Sequence, residues 1–191
     1  ESNSYGFRPG RSAHDAIEAI FSNLHHNTDK NVFNADIRKS FDRIDHDALL
    51  FKLATFPHME RQVSAWLKAG IMDEYAETEK ISKSDIGTPQ GGVISPLLAN
   101  IALHGLEDHL LAFVSSRKMP KPHPGSARGL KAKKAALGII RFADDFVIIH
   151  RNKEIIKMVI EETKNWLKIV GLEISQEKSA LRLASQSFSF L

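Results

Sequence analysis

Gly138-Ile139-Ile140-Arg141-Phe142-Ala143-Asp144-Asp145-Phe146-Val147-Ile148-Ile149 is the stretch whose reading decides the fold. Apolar runs on both sides of the Asp pair read as two strands, so Asp144 and Asp145 sit at the tight turn of a β-hairpin. Adjacent carboxylates repel one another, and holding two at an exposed tip is costly unless a cation neutralises them. A hard divalent ion such as Mg²⁺ suits the task, because it takes oxygen ligands and keeps positions open for phosphates. An Asp-Asp pair also occurs in ordinary turns, so the rest of the chain has to decide between the two.

Outward from the hairpin, helical and strand patterns alternate. Asn152 reads as the cap of a helix carrying Ile155, Ile156, Val159, Ile160, Thr163, Trp166, Leu167 and Val170, closed by Gly171. A strand near 179–184 follows. Upstream, Ser95-Pro96 opens a helix whose apolar face runs from Leu97 and Leu98 through Leu106 to Val114. Weak strand character lies around Thr78–Ser82, and short helices are predicted near 46–54 and 59–69, the second closed by Gly70 and carrying Trp66 on an apolar face, where core packing is expected. Val32–Ile37 reads as a strand with Asp36 near its end. Ser12-Ala13-His14-Asp15 resembles a capping box opening a helix from about residue 13 to the mid-twenties. This order predicts an α+β fold, an antiparallel sheet with helices packed on one face.

The 191 residues suffice for a real core, and a composition 42% hydrophobic and 26% charged is that of an ordinary globular chain. No uninterrupted apolar run reaches the ~18 residues of a membrane span, so no membrane is expected as a partner. Cys is absent, which excludes disulfides and thiolate metal sites. The net charge of +3 is unevenly spread. Between Arg117 and Lys134 lie seven basic residues and no acid; setting these aside leaves 19 Lys and Arg against 23 Asp and Glu, a net of −4. With Pro120, Pro122, Pro124, Gly125 and Gly129 among them, this segment reads as a loop, either solvated or touching a polyanion.

Asp36 supplies a third carboxylate. It lies 108 positions before Asp144, so the two meet only if their strands are neighbours in the sheet. Three carboxylates at adjoining strand ends could cradle the pair of ions, ~3.5–4 Å apart, that two-metal phosphoryl transfer requires.

Four blocks make the chain recognisable: Tyr5-Gly6-Phe7-Arg8-Pro9-Gly10-Arg11-Ser12, Ala35-Asp36-Ile37-Arg38-Lys39-Ser40-Phe41-Asp42, the stretch from Gly87-Thr88-Pro89-Gln90-Gly91-Gly92 to Asn100-Ile101, and Arg141-Phe142-Ala143-Asp144-Asp145. In this order they closely resemble the reverse transcriptase domain of bacterial and organellar group II intron-encoded proteins. Gly171-Leu172-Glu173-Ile174-Ser175-Gln176-Glu177-Lys178-Ser179 resembles the family's next block. The resemblance implies a right-hand polymerase palm with part of the fingers. Residues 1–31 would be a partial fingers segment and 32–191 the palm, with its basic loop at 115–136. Thumb, maturase and endonuclease regions are not expected within the chain.

The same resemblance implies roles residue by residue. Asp36, Asp144 and Asp145 match the catalytic aspartates, and the Ile37 carbonyl is expected beside them in holding two Mg²⁺ ions. A primer 3′-hydroxyl would attack the α-phosphate of an incoming dNTP and release pyrophosphate. Phe41 stands where the family places an aromatic steric gate against the 2′-hydroxyl. Gln90 and Gly91 match residues near the nucleotide, the glycine allowing close backbone approach. Arg8 and Arg11 suit phosphate oxygens, and Lys178 matches a palm lysine near primer or nucleotide phosphate. Arg128, Lys131, Lys133 and Lys134 are expected to contact nucleic acid. The implied partners are an RNA template with a DNA primer, group II intron RNA and dNTPs, and the bacterial character of the resemblance implies a cytoplasmic location. The implied function is RNA-directed DNA synthesis, with help to intron splicing and mobility, and weak synthesis by residues 1–191 alone. The alternative is a palm that binds intron RNA without polymerising. Such a palm would be free to lose the three aspartates, Gln90 and Phe41, all of which are here.

Overall fold

The computed structural model describes residues 1–24, 30–38, 43–68, 71–72, 81–82, 87, 93–117, 134 and 136–190. Along the chain these form α1 (Ala13–Leu24), β1 (Asn31–Asp36), α2 (His46–Leu53), α3 (Pro57–Lys68), β2 (Ile71–Met72), β3 (Ile81–Ser82), α4 (Ser95–Leu103), α5 (Leu106–Ser116), β4 (Gly138–Phe142), β5 (Asp145–His150), α6 (Lys153–Ile169) and β6 (Ala180–Leu183). They fall into two compact units. One comprises Glu1–Ile37, His104–Trp166 and Ile174–Leu191; the other comprises Arg38–Leu103 and Leu167–Glu173.

The first unit is built on a four-stranded antiparallel sheet in the order β4-β5-β1-β6. β4 and β5 are apolar on both sides, and both sides are covered, so Ile139, Ile140, Val147, Ile148 and Ile149 are all buried. On one face Phe33 meets Phe146 edge to face, with ring centroids 6.4 Å apart. Leu106 and Glu107 of α5 line a small cleft on that face with Ile139, Arg141 and Phe146. Glu162 of α6 bonds His109 of α5 at 2.7 Å. On the other face Ala16 and Ile20 of α1 pack against Val32, Ile140, Val147 and Ile149, with Phe188 and Phe190 closing the cluster. Helix α1 starts as its capping box predicts. The Ser12 amide donates to Asp15 Oδ2 at 2.6 Å, and the Asp15 amide donates to Ser12 Oγ at 3.3 Å.

The second unit is helical. Asp45 caps α2 by accepting from the Ala48 amide at 2.8 Å, and Leu49, Val63, Leu67, Leu98 and Leu103 are buried. Gly171, at φ 77°, ends α6. Its amide donates to the Lys168 carbonyl, and the Leu172 amide reaches back to Leu167, the paired bonds of a Schellman cap.

Three expectations are corrected. The helix read through from Ser95 to Val114 is two helices, because Gly105 takes φ 92° and its amide is capped by Glu1 Oε1 at 2.8 Å instead of continuing the ladder. Leu97, placed on the apolar face, is exposed. Trp66, read as core, is 45% exposed, since α3 buries the Val63 and Leu67 stripe instead. By length and mean hydropathy, Ser95–Ser116 taken as one stretch could cross a membrane, although half of its most apolar window is buried, as in a core helix. Gly70, the 78–80 part of the weak strand and the 88–92 loop lie outside the described residues.

Candidate active site

The hairpin turn is two residues long. Phe142 pairs with Asp145, leaving Ala143 and Asp144 as the connection. Ala143 takes φ 54°, a left-handed conformation that two-residue hairpins need and that alanine adopts at a cost. On the far side of β5, Asp36 is the register partner of Asp145. Residues paired across antiparallel strands project to the same face, so Asp36 and Asp145 stand side by side. The Ile37 amide donates to the Asp144 carbonyl at 3.2 Å, tying the end of β1 to the turn. Residues 108 and 109 positions apart in the chain thus meet at one corner of the sheet.

Asp36 is held from its other side by the Ile174–Ser179 segment. Ile174 bridges Ile37, the Ser175 amide donates to the Asp36 carbonyl at 2.8 Å, and the Asp36 amide donates to Ser179 Oγ at 3.3 Å. Lys178, whose side chain is largely exposed, donates from Nζ to Asp36 Oδ2 at 3.1 Å. Its hydrogen bond to Asp36, and then the charge of that carboxylate, raise the lysine's pKa. Burial raises the Asp145 carboxyl, the charges of Asp144 and Asp36 raise it further, and Lys178 opposes them.

Among the described residues, the groups at this corner able to ligate an ion are carboxylate and carbonyl oxygens, which fits a hard divalent ion in donor chemistry. Among the described residues no three Asp, Glu or His side chains are already gathered as an ion cradle. Asp36 is engaged instead by the Lys178 ammonium, a cation beside a carboxylate that would serve a metal. Among the described imidazoles, His46 bonds the Gly87 carbonyl, and His109 pairs with Glu162.

Of the remaining predicted residues, the two arginines have partners within the described residues. Arg8 Nε donates to Ser4 Oγ at 3.0 Å. Arg11 Nη1 donates to the carbonyls of Ser2 and Ser4, both at 2.6 Å, and its guanidinium lies over the Tyr5 ring. Both arginines therefore engage the chain's own first residues. Lys134 is exposed. Phe41, Gln90, Gly91, Arg128, Lys131 and Lys133 lie outside the described residues.

Ser175, Ser179, Arg141 and Gly6 support the corner, and none was singled out from the sequence. The legible signal was Arg141, a charge inside an otherwise apolar strand. It is 4% exposed and donates to the Ala143 carbonyl and to Ser4 Oγ.

Comparison with known proteins shows the family and the fold. The family model described as reverse transcriptase (RNA-dependent DNA polymerase) matches residues 1–191. The chain is 30% identical over its whole length to the group II intron-encoded protein LtrA of Lactococcus lactis subsp. cremoris, of which it spans 39%. It is 28% identical over 98% of its length to protein YkfC of Escherichia coli, spanning 53% of that protein. Among solved structures, telomerase from Candida tropicalis with a fragment of telomeric RNA superposes with a TM-score of 0.68. That match has 15% identity and covers 95% of this chain and 30% of the other. At that identity the likeness shows the fold, a right-hand palm with part of the fingers.

Proposed function

Because this chain belongs to the reverse transcriptase (RNA-dependent DNA polymerase) family, we propose that it is the catalytic core of a group II intron-type enzyme that copies RNA into DNA. The observation that carries this reading is the register pairing of Asp36 with Asp145, with Asp144 in the turn between β4 and β5. Residues 1–31 serve as the partial fingers segment and 32–191 as the palm, with 115–136 as its basic segment, of which Ser115 and Ser116 close α5. The likeness to an intron-encoded protein supports intron RNA as a further partner, and the whole polypeptide's help to splicing follows from the same likeness.

Asp36, Asp144 and Asp145, with the Ile37 carbonyl, are the groups that would hold Mg²⁺. When bound, Mg²⁺ lowers the pKa of the primer 3′-hydroxyl and stabilises charge on the departing pyrophosphate. The protein's part is orientation. β1 and β5 fix two carboxylates on one face, and the Ile37–Asp144 bond stops the turn from swinging away. Lys178 holds Asp36 in place while keeping an exposed ammonium beside the site, where a nucleotide or primer phosphate can be met. Phe41 is assigned to sugar discrimination, and Gln90 and Gly91 to the nucleotide and its template base. Arg8, Arg11 and the basic residues Arg128, Lys131, Lys133 and Lys134 are assigned to phosphate contacts.

The test is primer extension on an RNA template with dNTPs and Mg²⁺, using the whole polypeptide that carries this chain. Extension that disappears in Asp144→Asn supports the proposal. Tight RNA binding with no extension by the wild type would replace it with the non-polymerising maturase reading.

A further inference from the structure

The left-handed Ala143 is the weak point of the corner. An L-residue persists at positive φ only where its surroundings over-determine it, so the groups around Ala143 decide where Asp144 and Asp145 stand. Two of these groups are residues given no role from the sequence.

The first is Gly6. Its φ is not positive, so backbone freedom is not what requires glycine there. A Cβ at this position would lie 2.1 Å from the Ala143 nitrogen and 2.8 Å from its Cα. Backbone rests on backbone, and no side-chain movement can relieve such a clash. The second is Arg141, whose Nη1 donates to the Ala143 carbonyl at 3.0 Å. Its Nη2 reaches Ser4 Oγ at 2.8 Å and Glu1 Oε2 at 3.3 Å.

Arg141 and Gly6 belong to one device. Residues 3–5 run along the outer edge of β4, with Ser4 bridged in parallel to Arg141. The Arg141 amide donates to the Asn3 carbonyl and the Tyr5 amide to the Arg141 carbonyl, each at 2.8 Å. The strap is anchored to α5 through Glu107, which accepts from Asn3 Nδ2 at 2.8 Å, the Asn3 amide at 3.3 Å and Ser2 Oγ at 3.2 Å. It also covers an edge strand that would otherwise expose unpaired backbone groups.

We infer that the Ser4–Gly6 strap and Arg141 are positioning residues for the aspartates: they hold the Ala143 turn in the conformation that sets Asp145 beside Asp36. This inference rests on the reading of that corner as the metal-binding site of a polymerase. A strap that only stabilised the fold would leave metal affinity unchanged once the protein was folded.

The experiment compares wild type, Gly6→Ala, Ser4→Ala, Arg141→Gln and Arg141→Lys in the whole polypeptide. Folding is checked by near-ultraviolet circular dichroism in EDTA. Mn²⁺ binding is followed by electron paramagnetic resonance, and single-nucleotide extension is measured alongside. Gly6→Ala is expected to fold, to keep RNA affinity, to weaken Mn²⁺ binding about tenfold and to lower kcat about 10²-fold, as a misplacement near 1 Å does. Arg141→Lys, which keeps the charge toward Glu1, should recover part of what Arg141→Gln loses. Folded Gly6→Ala with wild-type Mn²⁺ affinity and kcat would overturn the inference. If Gly6→Ala does not fold, Ser4→Ala decides: weakened Mn²⁺ binding supports the device, and unchanged binding overturns it. Wild type that binds Mn²⁺ through Asp144 but never extends a primer would defeat the polymerase reading alone, since the Mn²⁺ comparison still tests the strap.

Discussion

Replacing Asp145 with asparagine should make the protein more stable while destroying its proposed activity. Asp145 stands in register with Asp36, and Cβ atoms in such a pair lie about 5 Å apart. Two unit charges at that distance repel by about 0.8 kcal/mol in water and about 3 kcal/mol at the effective dielectric of a protein surface. The site is part-exposed and Lys178 opposes the repulsion, so removing one charge should yield about 1–2 kcal/mol. For a chain of this size that is an upward shift of about 2–8 °C in Tm. The sign depends on pH. Burial, then Asp144 and Asp36, raise the folded-state pKa of Asp145 above its unfolded value. Below the unfolded pKa the carboxyl is protonated in both states and its charge costs nothing. As pH rises from there through the raised pKa, the wild type loses stability relative to the variant, and the gap is complete above it. Calorimetry in EDTA between about pH 3 and 7.5, a range that brackets the unfolded carboxyl, measures this gap. Mg²⁺ at ten times its Kd should then return about 1.4 kcal/mol to the wild type and little to the variant. A variant less stable than wild type at neutral pH in EDTA, or a gap that persists on acidification, would refute the electrostatic account of the corner.

Three further outcomes are expected. Phe146→Ala removes a fully buried ring that packs on Phe33 and should cost about 3–5 kcal/mol in urea unfolding, against less than about 1.5 for Phe146→Leu; an alanine cost below about 1 kcal/mol would take Phe146 out of the core. Phe41→Ala should raise ribonucleotide incorporation relative to dNTPs in single-turnover assays, and unchanged discrimination would assign the ring elsewhere. Replacing Lys131, Lys133 and Lys134 with glutamine should flatten the salt dependence of RNA binding by about one unit of slope per lost phosphate contact; an unchanged slope would make 115–136 a solvated loop.

The elements that were legible are those whose signals are local. Ser12 and Asp15 complete their reciprocal cap within four residues. The Asp pair marks the turn because apolar runs flank it on both sides. Gly171 ends α6 through bonds that reach back no farther than Leu167. The errors arose where a local pattern was overruled from a distance. The apolar face through Leu97 and Val114 is continuous in sequence. Its helix breaks because Glu1, more than a hundred residues upstream, caps the amides of Gly105 and Glu107. Trp66 is the exception, decided within its own helix, where burial follows Val63 and Leu67.

The same distinction separates the aspartates from their supports. Chain order and resemblance were enough to bring Asp36 toward Asp144 and Asp145, and the sheet does place them at one corner. Nothing local shows what Tyr5-Gly6 does, because its reason for being glycine is the Ala143 backbone 137 positions away. Arg141 carried half of the information. A guanidinium in the run Gly-Ile-Ile-Arg-Phe cannot be buried without acceptors, so the strand demanded more partners than its neighbours could supply. Ser4, Glu1 and the Ala143 carbonyl meet that demand. Two blocks that read as separate signatures, one opening the chain and one carrying the Asp pair, are thus the two sides of one contact. The turn that presents the carboxylates is set as much by the chain's first six residues as by the strands that flank it.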